Sequence, residues 1–256
     1  MTTLTMDLKE SLKKTSKLLA ITGLFALTSC ADVTNTPGVS DNGGDEYSYT
    51  AVDSDPFEPI NRPLFNVHGG LDIVLFKPAA KAYNYAVPKM GQTIVSNILE
   101  NLSTPITFAN SILQGDIENS FASFWRFALN STIGIGGAND IAGHAGLEMR
   151  KTDFGQTLAT YGVASGSYLF IPIIGPTTFR DGLGRGVDTL FRPLTWAEGD
   201  TLNFVESGAN GLNFRAQNLK LFDEIGSSID PYATFRSIYL QRRAAEVREA
   251  VESKKW

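Results

Sequence analysis

Beyond residue 30 the chain has no run of 18 apolar residues, although 43% of its 256 residues are hydrophobic and 16 are phenylalanine. A helix needs about 20 apolar residues to cross a bilayer, so no single segment of the body can do so. The ten-residue alternating segments of a porin-like barrel are also missing in the number such a barrel requires. The apolar residues recur instead at helical spacing, in short blocks broken by glycine and proline. That pattern predicts an all-α body of short amphipathic helices. Helices satisfy their own backbone polar groups, so such a body suits one leaflet of a membrane, with apolar faces among acyl chains. It equally suits an aqueous domain whose phenylalanines fill the core, and composition alone leaves both readings open.

The clearest stripe is Ile117, Phe121, Phe124, Trp125, Ala128 and Leu129, which predicts a helix over 116–130 with Asp116 as its N-cap. Whether that stripe faces core or lipid cannot be read from spacing. A helix over 91–100 and a separate short one from Pro105 to Leu113 are expected before it. Residues 201–222 carry a broken helical pattern interrupted by Gly208 and Gly211. Asp230-Pro231 is a helix start, since the carboxylate caps free N–H groups and proline has no N–H to lose at the first position. The stripe of Phe235, Ile238, Tyr239 and Arg242 follows it. The run Tyr168 to Ile174 is the only strongly β-like one, and Pro172 argues against a central strand there.

The N-terminus sets a compartment. Lys9, Lys13, Lys14 and Lys17 precede the apolar run Leu18–Ser29, the form of a secretory signal, and Cys30 follows directly. Leu27-Thr28-Ser29-Cys30 resembles a bacterial lipobox, which implies cleavage before Cys30 and acylation of that cysteine. Several acyl chains would anchor the protein stably. Ala31 after the cysteine matches the sorting pattern for the outer membrane. Cleavage removes four lysines and two acids and leaves 227 residues of net charge −7. Residues 31–54 hold five acids, no base and three glycines, and read as a flexible tether. The expected organisation is therefore a signal peptide over 1–29, an acylated cysteine and acidic tether over 30–54, a helical body over 55–243 and a charged tail over 244–256.

Several chemistries find no support. The acidic balance argues against a nucleic-acid partner. One cysteine and two histidines, His68 and His144, leave little from which to build a metal centre. Gly134-Ile135-Gly136-Gly137 lacks the lysine of a phosphate loop and the third glycine of a dinucleotide fold, and it predicts helix capping and close approach instead. No Gly-x-Ser-x-Gly elbow or His-Glu-x-x-His pair is present, and no base is placed to activate Ser165 or Ser167. No cofactor and no catalytic residue are expected.

The chain resembles the MlaA (VacJ) family of outer-membrane phospholipid-transport lipoproteins. The resemblance is carried by Asp55, Pro56, Asn61, Arg62, Phe65 and Asn66 within DPFEPINRPLFN and by Asn130, Gly134, Gly136, Gly137 and Asp140. It continues in Leu113-Gln114-Gly115, Arg126-Phe127, Asp153-Phe154-Gly155, Arg180-Asp181 and Asp230-Pro231-Tyr232. The matching blocks cover roughly 55–243. The resemblance implies a membrane-interface-embedded ring of short amphipathic helices around a channel, seated mainly in the inner leaflet of the outer membrane. It implies phospholipid as cargo, a trimeric outer-membrane porin as partner, and a soluble periplasmic lipid carrier that feeds an inner-membrane transport complex. The implied activity is removal of misplaced phospholipid from the outer leaflet, without covalent chemistry. A membrane-anchored lipid hydrolase or acyltransferase and an outward-displayed structural lipoprotein are the competing readings. The blocks around Asp55–Asn66 and Asn130–Asp140, with Gly155, Arg180 and Asp181, are expected to shape the body or its channel. Arg185 and Arg192 are expected to contact headgroups.

Overall fold

A computed structural model describes residues 55–196 and 200–254. Cys30, the signal peptide and the tether lie outside the described residues. Helix α1 (Glu58–Leu71) passes through a π-helical turn (Asp72–Phe76) into α2 (Lys77–Ala86). Phe65 of α1 meets Phe170 and Tyr232 edge-on at 5.4 and 5.7 Å, and these rings with Tyr168 and Phe235 make a small aromatic core. Edge-to-face geometry sets the positive ring edge on the negative ring face.

Helix α3 (Lys89–Gln114) runs unbroken for 26 residues with Pro105 inside it. The two separate helices expected over 91–100 and from Pro105 are thus one. Proline removes a single ladder bond here, and the helix packs extensively against α4 (Ile117–Thr132), which outweighs that loss. Gly115, left-handed at φ 72°, ends α3, and the Asp116 side chain caps α4 by accepting from the Asn119 N–H at 3.0 Å. The glycine block that follows α4 does cap and allow close approach. The amides of Gly136 and Gly137 return to the carbonyls of Ser131 and Asn130. Gly137 sits at φ +93°, where an added Cβ would lie 2.5 Å from the Cβ of Asn101 on α3.

Beyond it come α5 (Ile141–His144), α6 (Phe154–Thr160) and an antiparallel pair, β1 (Tyr168–Ile171) with β2 (Gly175–Thr178). The β-like run thus supplies β1 and the turn, with Pro172 in it, of a two-stranded hairpin in an otherwise helical body. Helix α7 (Phe179–Asp188) and two 3-10 turns lead to α8 (Asp200–Gln217), α9 (Leu219–Gly226) and α10 (Pro231–Glu252). Asp230 caps α10 through the Ala233 N–H, and α10 continues past residue 243 to Glu252. None of the described helices is long and apolar enough to cross a membrane.

Burial runs opposite to that of an aqueous domain. Among the described residues 26 polar or charged side chains are buried against 12 apolar ones. The apolar stripe of α4 points outward, with Ile117 80% and Phe121 61% exposed. Its inward face carries Asn119, Ser120, Ser123, Arg126 and Asn130. Helix α3 repeats the arrangement, burying Thr104, Thr107, Asn110, Ser111 and Gln114 while exposing Met90 and Ile112. Exposed apolar surface of this extent marks a contact face for a membrane, a partner protein or a ligand.

Candidate functional site

Three polar knots hold the helices around this interior. In the first, Asn61 of α1 donates to the Tyr168 carbonyl at 3.0 Å and accepts from the Phe170 N–H at 3.0 Å, closing the free edge of β1. The same amide donates to Asp55, whose carboxylate also accepts from the Tyr232 hydroxyl. Arg62 bridges Glu58 and Asp230, tying α1 to the start of α10. Asp55, Asn61, Arg62 and Phe65 are therefore brought together, whereas Asn66 and Pro56 lie exposed outside the knot.

The second knot joins α3, α4 and α5. Asn130 donates to Asp140 at 2.8 Å and accepts the Ala142 N–H, while Arg126 reaches Asp140 at 3.0 Å and the Leu147 carbonyl at 2.6 Å. Burial pushes the Asp140 carboxyl up, but bonds from Asn130, the Gly143 N–H and Arg126 outweigh that and leave it below the usual carboxylate range. Gly134 lies against the Asn130 backbone, where an added Cβ would come within 2.5 Å of its carbonyl oxygen.

The third knot centres on Arg243 of α10, which forks to Asp153 at 2.7 Å and to Asp181 at 2.9 Å. Arg180 and Tyr239 also donate to Asp181. Its burial would raise the carboxyl, yet Arg243 and Arg180 hold it below the usual range. Gly155 makes room: a Cβ there would stand 2.6 Å from both Arg243 Nη2 and Asp181 Oδ1.

Between the knots runs a buried polar seam. Asn110 donates to Asp188 at 2.8 Å, the Phe154 N–H donates to both Asp188 oxygens, and Thr157 links Asn110 to Gln114. Burial pushes the Asp188 carboxyl up to about 6. Arg192 lies in the field of Asp188, and its buried Nε has no partner. Arg185 is exposed and donates to the Pro176 carbonyl, so the two arginines do not form one site. Spacing could not reveal Asp188, Asn110 or Arg243 as members of these networks, because each is completed by residues 60 or more positions away. Among the described residues no group of three His, Cys, Asp or Glu side chains could hold a metal ion. Chemically, the buried faces of α3 and α4 present hydrogen-bonding side chains, while their apolar stripes lie exposed.

Comparison with known proteins agrees with this geometry. The MlaA lipoprotein family model matches residues 53–246. The Intermembrane phospholipid transport system lipoprotein MlaA of Haemophilus influenzae is 33% identical over 250 residues, 95% of each chain. Its namesake in Escherichia coli K12 is 35% identical, with 74% of this chain and 76% of that protein covered. A solved structure from work on the "Structural basis for maintenance of bacterial outer membrane lipid asymmetry" superposes with a TM-score of 0.70 at 34% identity. It covers 76% of this chain and 99% of that one.

Proposed function

The chain belongs to the MlaA lipoprotein family, and from that premise we propose that it is an outer-membrane lipoprotein of an intermembrane phospholipid transport system. It removes misplaced phospholipid from the outer leaflet and so maintains lipid asymmetry. The observation that carries this reading is the inverted distribution of side chains, apolar outside and polar inside. A phospholipid can leave its acyl chains in hydrocarbon throughout its passage, whereas its charged headgroup is costly to expose there. The polar interior along α3, α4, α6 and α7 supplies the wet route, and the apolar faces of α3, α4 and α8 seat the body in the inner leaflet. Arg192, near the end of that seam, meets the headgroup phosphate, and Arg185 meets it at the surface.

Acylation of Cys30 anchors the chain, and a trimeric porin braces it in the membrane. A soluble periplasmic carrier takes the lipid onward to an inner-membrane complex. No covalent step is needed, because the cargo leaves as it entered. A strain lacking the protein is expected to show raised surface phospholipid and detergent sensitivity with total lipid nearly unchanged. Normal outer-leaflet composition in that strain would overturn the reading. Release of hydrolysed product from labelled phospholipid by the purified protein would favour the hydrolase alternative, and protease attack on intact cells would favour outward display.

A further inference from the structure

Helix α8 turns a polar stripe of Asn203, Glu206 and Asn213 inward, while Phe204, Val205 and Phe214 lie exposed. Two bonds fix where that stripe runs. Toward the end of α8, Asn213 donates to the Ser96 hydroxyl of α3 at 3.0 Å. Near its start, Asn203 donates to the Leu194 carbonyl at 3.3 Å, in the 3-10 turn that follows Asp188 and Arg192. Asp188 is in turn bonded to Asn110 of α3. Glu206 therefore stands between these two anchor points, one helical turn beyond Asn203, on the face of α8 turned to the polar face of α3.

Glu206 is 7% exposed, yet its carboxylate has no hydrogen bond or ion pair. The other charged side chains buried among the described residues are all bonded. Asp116 meets Arg150, Asp188 meets Asn110, Arg215 meets Asp72, and Arg126, Arg180, Asp181 and Arg243 sit within their knots. A carboxylate removed from water without a partner is costly, and a cation from outside the chain offsets that cost. Spare bonding capacity lies alongside, for the buried Nε of Arg192 and the buried carbonyl oxygen of Asn203 also have no partner. A metal ion is a poor occupant, since no three ligating side chains gather among the described residues. An unpaired carboxylate and a guanidinium without a hydrogen bond match a ligand that carries an anion and a cation on a short linker. We propose that Glu206 sets headgroup specificity: its carboxylate pairs with the cationic amine of a zwitterionic phospholipid while Arg192 holds the phosphate. Amine-bearing headgroups are then admitted ahead of anionic ones that lack an amine. The assignment rests on the phospholipid-transport reading.

The test titrates the full acylated protein, in an uncharged detergent free of amines, with dihexanoyl phosphatidylethanolamine, phosphatidylcholine and phosphatidylglycerol. These lipids share acyl chains and differ in headgroup, and isothermal calorimetry reads their affinities. The ethanolamine and choline lipids are expected to bind about tenfold more tightly than the glycerol lipid, as one charge-assisted contact provides. Glu206→Gln keeps the side-chain shape and is expected to bring all three within about twofold, and Glu206→Lys to reverse the order. Chemical unfolding of Glu206→Gln in micelles is expected to show no loss of stability, because no bond is broken. Equal binding of the three lipids by the unsubstituted protein overturns the proposal, and so does a preference that survives Glu206→Gln. Uniform weakening of all three in that variant, with lowered stability, makes Glu206 a structural residue and overturns it as well. Free ethanolamine that binds as tightly as the ethanolamine lipid overturns the headgroup assignment in favour of a bare amine. Binding of none of the lipids overturns the proposal and counts against the transport reading too, whereas equal binding of all three overturns the Glu206 contact alone.

Discussion

With one amide, Asn61 does the work of a neighbouring strand, pairing the carbonyl of Tyr168 and the N–H of Phe170 at an otherwise open edge. It is 1% exposed, so water cannot replace it. Asn61→Ala would strand both backbone groups, each worth about 1–3 kcal/mol when left unsatisfied, and would also free Asp55. The expected loss is about 2–5 kcal/mol in chemical unfolding in micelles; a loss below about 1 kcal/mol would show that water enters to take the amide's place. Asp188 sets a pH dependence of the opposite kind to that of Asp140 and Asp181. Its folded pKa, about 6, lies above that of an unfolded aspartate, so the folded state holds the extra proton between those values. The Asp188 contribution to stability is therefore complete below about pH 4 and is lost as pH rises through about 6. Asp140 and Asp181 are held low, so their contribution is present above the unfolded carboxylate pKa and is lost as pH falls through their folded values. Unfolding curves should thus show greatest stability in the mildly acidic range. Asp188→Asn should remove the decline between about pH 4 and 7, by on the order of 2–3 kcal/mol. An unchanged profile in that variant would assign the decline to another group.

Among the elements, caps were readable in advance and medium was not. Asp116 and Asp230 were expected to start α4 and α10 from local chemistry alone, and both do, because an N-cap acts within three residues. Proline in α3 misled for the complementary reason: its local cost is overridden by packing along the whole of α4, which no window around residue 105 contains. Periodicity likewise located the face of Ile117 and Phe121 without saying what lies against it. The candidate site was legible where the family motifs name it, in Asn61, Asn130 and Asp140. It was opaque where Arg243 and Asp188 complete it from distant helices. Packing between α6 and α7 offers a sharper test of that long-range architecture. A Cβ on Gly184 would fall 2.4 Å from the backbone nitrogen of Gly155, which cannot move without separating the helices. A Cβ on Gly155 would instead meet the side-chain ends of Arg243, Asp181 and Asp153. Gly184→Ala is therefore expected to cost more than Gly155→Ala, by about 1–3 kcal/mol in micellar unfolding. The reverse order would mean that the arginine fork, and not backbone contact, sets the spacing of α6 and α7.

At the scale of the molecule the question is which solvent the exterior was built for. In a protein dissolved in water, aromatic and branched residues repeating on one helix face are core, and replacing one by a small polar residue costs about 3–5 kcal/mol. Here Ile117 and Phe121 stand 80% and 61% exposed while the opposite face of α4 buries Asn119, Ser123 and Arg126. Replacing both by asparagine should therefore leave unfolding in micelles within about 1 kcal/mol, since few contacts inside the body are lost. The same change should weaken attachment to a bilayer, because each apolar side chain transferred from water into hydrocarbon contributes about 1.5–3 kcal/mol when fully buried. Acyl chains on Cys30 and the apolar run before it would mask this, so the comparison belongs in protein produced without residues 1–30, where only the body can bind. Flotation with phospholipid vesicles should then show the unsubstituted body partitioning into the bilayer and the Ile117→Asn, Phe121→Asn body reduced at least about tenfold. Equal partitioning of the two, together with a large loss of stability in the variant, would place the stripe inside the protein. The body would then belong in water, and the polar interior would be a set of structural bonds with no lipid passing through it.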